Sequence, residues 1–206
     1  MEKNNNQELK ADLQKITDSH YTYIGKFIVE FEDLIDNLSR FLVSFLSYKP
    51  LNQLYMHTLC EGMSAYDIIS KCQTFLAMKY ENNDNKIKKI TNLFNAMKEI
   101  NEERNFIVHG KWLISTPNDH NIKNNVDFSK ATVSHIKRTS RGVEMRMKEF
   151  DINEYNHLME RLKMISRLFL LMESNKTDKD YFNKITDDDI KFCRGKSGRL
   201  ESFEMI

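Results

Sequence analysis

Arg104, Asn105 and His109 stand within six residues of one another in the run Asn101-Glu-Glu-Arg-Asn-Phe-Ile-Val-His109-Gly. A guanidinium can neutralise charge on an anion, an amide can orient a polar group, and an imidazole can accept or release a proton near neutral pH. An arginine and a histidine five residues apart are by themselves a weak signal, because basic side chains commonly complement the C-terminal end of a helix dipole. The helix before them strengthens it. The stripe Leu93, Met97, Ile100 puts the next inward positions at Arg104 and Ile107, so the arginine falls where an apolar residue is expected. An inward arginine must pair with an acid, extend to an edge, or line a polar cleft or a subunit interface. Asn105 and His109 are four apart and share a helical face, and Gly110 is suited to end the helix beside them in a left-handed conformation.

The elements that must carry this run are helical. The chain has 206 residues, 40% of them hydrophobic, which suits one domain with its own core. Six glycines and two prolines are too few for an all-β fold built on tight turns. Residues 1–17 are polar and read as a lead-in. From there Ile24, Phe27, Phe31, Leu34, Leu38, Phe41 and Phe45 recur at helical spacing until Pro50. A second helix is expected from Asn52 to Lys79, with Tyr55, Leu59, Tyr66, Ile69 and Leu76 on one face and Gly62 where a neighbour approaches closely. A third starts at Asp84 or Asn85 and continues into the Arg104–His109 run. Residues 113–150 form an insertion of loop and β-hairpin, with strands either side of Ser140-Arg-Gly142. A fourth helix is capped by Asp151 and Glu154 and turns Tyr155, Leu158, Leu162, Ile165, Phe169 and Met172 inward. Residues 176–206 read as a polar extension in which Thr186 to Asp189 cap a short helix. The domain proper is thus 18–175.

Other features exclude more than they assign. With 31 basic and 30 acidic residues, no global field draws the chain to nucleic acid or membrane. Cys60, Cys72 and Cys193 show neither C-x-x-C nor Cys/His ligand spacing, so neither a disulfide framework nor a structural zinc site is expected. No metal or other cofactor is called for. The N-terminus has no apolar secretory region, and the longest apolar cluster, Leu168 to Met172, is too short to span a bilayer. A soluble protein of a reducing cytoplasm is the expectation. Gly195-Lys-Ser lacks the upstream glycine and strand of a phosphate loop. His20, His57, His120 and His157 have no partners at catalytic spacing and read as ordinary surface or half-buried residues.

Arg104-Asn105-Phe-Ile-Val-His109, placed late in a third helix, resembles the Arg-X(4–6)-His motif of the HEPN superfamily. The resemblance covers roughly residues 18–175 in helix order and motif placement. It implies an all-α, HEPN-like bundle of four long helices, here with the hairpin between helices three and four. It further implies a metal-independent endoribonuclease whose motif meets a second copy across a homodimer interface. His109 would take the proton of a ribose 2′-OH or protonate the leaving 5′-oxygen, Arg104 would neutralise the phosphate and Asn105 would position it. Enzymes of this sort serve toxin–antitoxin and antiviral systems, so an antitoxin or defence partner is a further expectation. One toxin branch carries a modified tyrosine two residues after the histidine; Lys111 stands there in this chain. The alternative is a non-catalytic HEPN-like module that binds RNA, a nucleotide or a protein partner. A third reading is a structural helical interaction protein in which Arg104 pairs with an acid such as Glu103 of a neighbouring helix. Lys111, Lys137, Arg138, Arg141 and Arg146, in or beside the locally basic hairpin segment, are the candidate RNA contacts.

Overall fold

The computed structural model describes residues 2–46, 58, 60–115, 117, 124, 126–139, 142–173, 184–194 and 200–205; the backbone alone is described at 2–6, 46, 137–139, 142–143 and 200–205. Its elements are α1 (Glu2–Leu46), α2 (Ala65–Lys79), α3 (Asp84–His109), β1 (Lys111–Leu113), β2 (Ala131–Thr139), β3 (Gly142–Phe150), α4 (Ile152–Glu173), α5 (Asp187–Cys193) and β4 (Leu200–Met205). The chain is therefore mainly helical with one antiparallel sheet, in strand order β1-β2-β3-β4. The expected mainly helical character is present, and the sheet extends the expected hairpin by a strand on each side. The hairpin is present, its strands in register from Ala131↔Phe150 to Thr139↔Gly142. Two strands were not foreseen. β1 pairs with β2 through Lys111↔Ser134 and Leu113↔Thr132, and β4 pairs with β3 through Met145↔Phe203 and Val143↔Met205. β1, three residues long, is too short to announce itself by alternation, and β4, Leu200-Glu-Ser-Phe-Glu-Met, does not alternate strictly between apolar and polar residues.

Two helix starts differ from expectation, whereas α3 begins at Asp84 as expected. α1 begins at Glu2, so residues 2–17 are helix rather than lead-in. The polar side chains there pair along the helix, Gln14 with Asp18 at 2.8 Å and Lys15 with Asp12 at 2.7 Å, as i,i+4 and i,i+3 neighbours do. α2 starts at Ala65 instead of Asn52, because Ser64 and Asp67 close a capping box and Gly62, at φ +82°, turns the chain before it. Gly62 thus serves a backbone turn, and a Cβ there would meet nothing within 4 Å. Residues 51–57 and 59, with the expected inward Tyr55 and Leu59, lie outside the described residues. At α3 the cap is Asn83, whose Oδ1 accepts the Lys86 amide at 3.0 Å. α4 starts as expected: Asp151 Oδ1 accepts the Asn153 and Glu154 amides, and Glu154 accepts the Asp151 amide. At α5, Thr186 and Asp189 close another box, the capping role expected of that acidic cluster.

The chain divides into two compact units. One comprises Met1–Ile28, Asn105–Met159 and Lys196–Ile206; the other comprises Val29–Arg104 and Glu160–Gly195. The second unit is helical. Its core joins Phe31, Leu34, Leu38 and Phe41 of α1, Ile69, Cys72 and Leu76 of α2, Ile90, Leu93, Phe94, Met97 and Ile100 of α3, and Leu162, Ile165, Phe169 and Met172 of α4. Phe169 meets Phe41 and Phe94 edge-on at 5.6 and 6.3 Å, the preferred aromatic geometry. Tyr66, expected inward, is exposed, with the Lys98 ammonium over its ring.

The first unit holds the sheet. Ala131 and Val133 of β2 and Phe150 of β3 are fully buried, as the alternation of the hairpin requires. Trp112, Phe150, Tyr155 and Tyr23 form a column of rings with successive centroids 5.7, 5.3 and 5.5 Å apart. Thr17 is buried and donates to the Ser115 carbonyl at 2.9 Å. Among the described residues no helix is long and apolar enough to cross a membrane.

Candidate active site

α3 runs unbroken to His109, and Gly110 and Trp112 close its end. Gly110 donates to the Phe106 carbonyl at 3.0 Å, and the Trp112 indole donates to the Ile107 carbonyl at 2.8 Å, satisfying two of the last helical acceptors. Gly110 does not take the left-handed conformation expected of it; among the described glycines only Gly62 does. Packing explains the glycine instead. A Cβ at 110 would overlap Val133 Cγ2 and lie 2.6 Å from the Phe106 carbonyl oxygen and 3.2 Å from that of Ser134. The strand β2 crosses too close for any side chain.

Asn105 and His109 are both exposed on this terminal turn, one helical face apart from the buried Ile107. Arg104 belongs to the helical unit and is oriented differently. Its Nη2 donates to Glu32 Oε1 at 2.7 Å, its guanidinium lies 5.7 Å from the Phe31 ring centroid, and its side chain is 24% exposed. The inward position expected of Arg104 is thus filled by a half-buried cation stacked on an aromatic ring and paired with an acid. The acid is Glu32 of α1, not Glu103. So Asn105 and His109 share an open face, while Arg104 is engaged within its own unit.

The candidate RNA contacts are dispersed. Lys111 is exposed on β1. Lys137 and Arg138 lie on β2, where the register sets them opposite Glu144 and Val143; Arg141 lies outside the described residues. Arg146 on β3 makes two bonds to Glu144, at 2.8 and 3.2 Å, and Lys130 pairs with Glu149 at 3.5 Å. The basic excess of the hairpin is therefore partly balanced by its own acids. His135, directly across from Arg146, is half-buried with its ring 5.9 Å from Phe106, one turn of α3 before His109. Alternation with Val133 is the sequence signal for that inward placement.

His20 is the histidine that sequence reasoning misread. It is 3% exposed, bonds through Nε2 to the Phe128 carbonyl at 3.1 Å, and lies 5.8 Å from the Tyr155 ring. A single histidine in a polar stretch carries no signal of a strand-loop partner 108 residues away. His157 is half-buried, and His57 and His120 lie outside the described residues.

No cysteine is poised as a nucleophile in the helical core. Cys72 and Cys193 are buried, and burial raises both thiols, that of Cys193 to about 12. Among the described residues no group of three or more His, Cys, Asp or Glu side chains is arranged to hold a metal ion. No family model, curated protein or solved structure matches the chain.

Proposed function

We propose that the protein is a metal-independent endoribonuclease of HEPN type, cleaving RNA at a site completed by a second copy of the chain. The supporting observation is the exposure of Asn105 and His109 together on the last turn of α3, available to a partner surface. In this reading one His109 takes the 2′-OH proton as the 2′-oxygen bonds to phosphorus. The P–O5′ bond breaks, and the partner's His109 supplies the proton to the leaving oxygen. Arg104 neutralises the charge gathering on the phosphate and Asn105 orients it. The products are a 2′,3′-cyclic phosphate and a 5′-hydroxyl, and DNA is inert. A toxin–antitoxin or antiviral setting, in the cytoplasm, belongs to the same proposal and rests on the resemblance of the motif.

A second reading is favoured by one contact. The Arg104–Glu32 pair occupies the guanidinium within the chain, which suits a non-catalytic module that binds RNA, a nucleotide or a protein partner. Incubation of labelled single-stranded RNA with the purified chain in EDTA separates the two. Cleavage lost in both Arg104→Ala and His109→Ala supports the enzyme; binding without cleavage supports the module. Mixing wild type with excess His109→Ala chain should depress cleavage beyond simple dilution if two copies share each site.

A further inference from the structure

A cleft of about 190 Å³ lies in the helical unit between α3 and α5, lined by Lys88 and Asn92 of α3, Asp187, Ile190 and Lys191 of α5, and Arg194 just after it. It shares no residue with the Arg104–His109 run. Lys88 and Asn92 are four apart and share a face of α3, and Lys191 follows Asp187 by four on α5, so each helix brings a polar row to the cleft. The walls are fixed. Ile185 and Ile190 are buried, the Lys89 ammonium donates to the Ile185 carbonyl at 2.7 Å, and Arg161 donates twice to the Cys193 carbonyl, at 3.1 and 3.0 Å. With α5 tied down at both ends, the two rows need no assembly when a ligand arrives.

Three cations stand against one carboxylate in this lining, in a chain whose net charge is only +1. Lys88, Lys191 and Arg194 are all exposed, so a ligand in the cleft can reach their charged ends. Lys88 enters no ion pair among the described residues. Lys191 stands 3.3 Å from Asp188 in a pair whose side chains are 79% and 92% exposed, which water screens. Arg194 offers Nε and Nη2 to a single Glu99 oxygen, both at 3.4 Å, longer than a charge-assisted bond prefers. Neither acid therefore holds its cation away from a stronger anion. Ile190 alone of the lining residues is apolar, and the volume falls below that of drug-sized sites, which disfavours a bulky apolar ligand. We propose that this cleft binds a phosphate group, free or as the end of a nucleotide, with Lys88, Lys191 and Arg194 neutralising its oxygens and the Asn92 amide donating to one of them. The proposal is separate from the ribonuclease reading.

The test titrates the full chain by calorimetry with inorganic phosphate and, separately, with adenosine monophosphate, sodium chloride holding the ionic strength constant so that general screening does not change. The expected result is saturable 1:1 binding of phosphate below about 10 mM. Tighter binding of the nucleotide identifies a nucleotide phosphate as the ligand, and equal or weaker binding identifies free phosphate; either supports the site. Lys88→Ala should weaken phosphate binding about tenfold, the scale of one hydrogen bond to a charged group, with the melting temperature unchanged because the side chain is exposed and unpaired. Asp187→Asn, which removes the carboxylate from the lining, should tighten it roughly threefold. Lys26→Ala takes the same charge from an exposed position on α1 outside the cleft and should leave binding intact, as should His109→Ala. The proposal is overturned if phosphate fails to saturate below about 10 mM, if Lys88→Ala binds as wild type does, if Asp187→Asn weakens binding, or if Lys26→Ala weakens it as much as Lys88→Ala.

Discussion

Arg104 and Glu32 form a 2.7 Å ion pair between residues 72 apart in sequence, with the guanidinium also resting on Phe31, the neighbour of Glu32 in α1. The Glu32 side chain is 52% exposed, so water screens the pair. Glu32→Gln should therefore cost less than about 1 kcal/mol in urea unfolding. Arg104→Ala should cost more, because it also removes the stacking on Phe31. If Arg104 serves a phosphate, Glu32→Gln should maintain or raise RNA cleavage while Arg104→Ala abolishes it. Equal loss in both variants would make the pair a structural tie only.

Gly110→Ala should destabilise the protein by about 2 kcal/mol, the scale of a forced steric insertion. Two of the three obstructing atoms are backbone carbonyl oxygens and cannot turn aside. Val133→Ala should rescue only part of the loss. At Gly62 the surroundings are open and the penalty is conformational, so Gly62→Ala should cost about 1–2 kcal/mol and resist rescue by any neighbour. Chemical denaturation of the three variants checks the order.

Arg161 is 1% exposed, and its Nε and Nη2 both donate to the Cys193 carbonyl, at 3.1 and 3.0 Å, tying α4 to the end of α5. Burial pulls its guanidinium pKa down, and Glu103 and Glu99 oppose that pull. Arg161→Ala should cost about 3–5 kcal/mol, as removal of one partner from a buried charged cluster does. Release of α5 should show first, as new protease cleavage between residues 184 and 194. An unchanged digestion pattern would contradict this role.

Asp67, Asp127 and Asp189 are held below the usual carboxylate value of 3.8, chiefly by hydroxyl hydrogen bonds from Ser64, Ser129 and Thr186 and then by the backbone amides of the same residues. A depressed folded-state pKa contributes stability above the unfolded value, and that contribution disappears as pH falls through the folded value. Thermal stability should therefore decline from about pH 4 downward. The triple variant Asp67→Asn, Asp127→Asn, Asp189→Asn should begin less stable at pH 6 and show a shallower decline. Melting curves between pH 2 and 6 provide the measurement.

Where residues signal through their near neighbours, sequence and structure agree. The capping box of Asp151 and Glu154, the inward stripe from Tyr155 to Met172 and the presence of the hairpin all follow from periods and from bonds made within a few residues. The roles of the two glycines came out exchanged. Gly62 makes the left-handed turn and Gly110 admits a close strand, because a glycine's type reports freedom of the backbone without saying whether a dihedral or a neighbour requires it. Arg161 of α4 had no signal in the local pattern: it is buried, with its guanidinium donating to the Cys193 carbonyl 32 residues away.

The sequence by itself determined the mainly helical character, the hairpin, and the placing of Asn105 and His109 on one face at the end of α3, since each depends on local spacing and on the geometry of a single element. Tertiary structure alone decided that Arg104 faces Glu32 and Phe31, that short segments at 111–113 and 200–205 become strands, and that His20 meets Tyr155. Those outcomes hang on partners dozens of residues away. A side chain's type limits which partner it accepts, but only the folded chain brings one within reach.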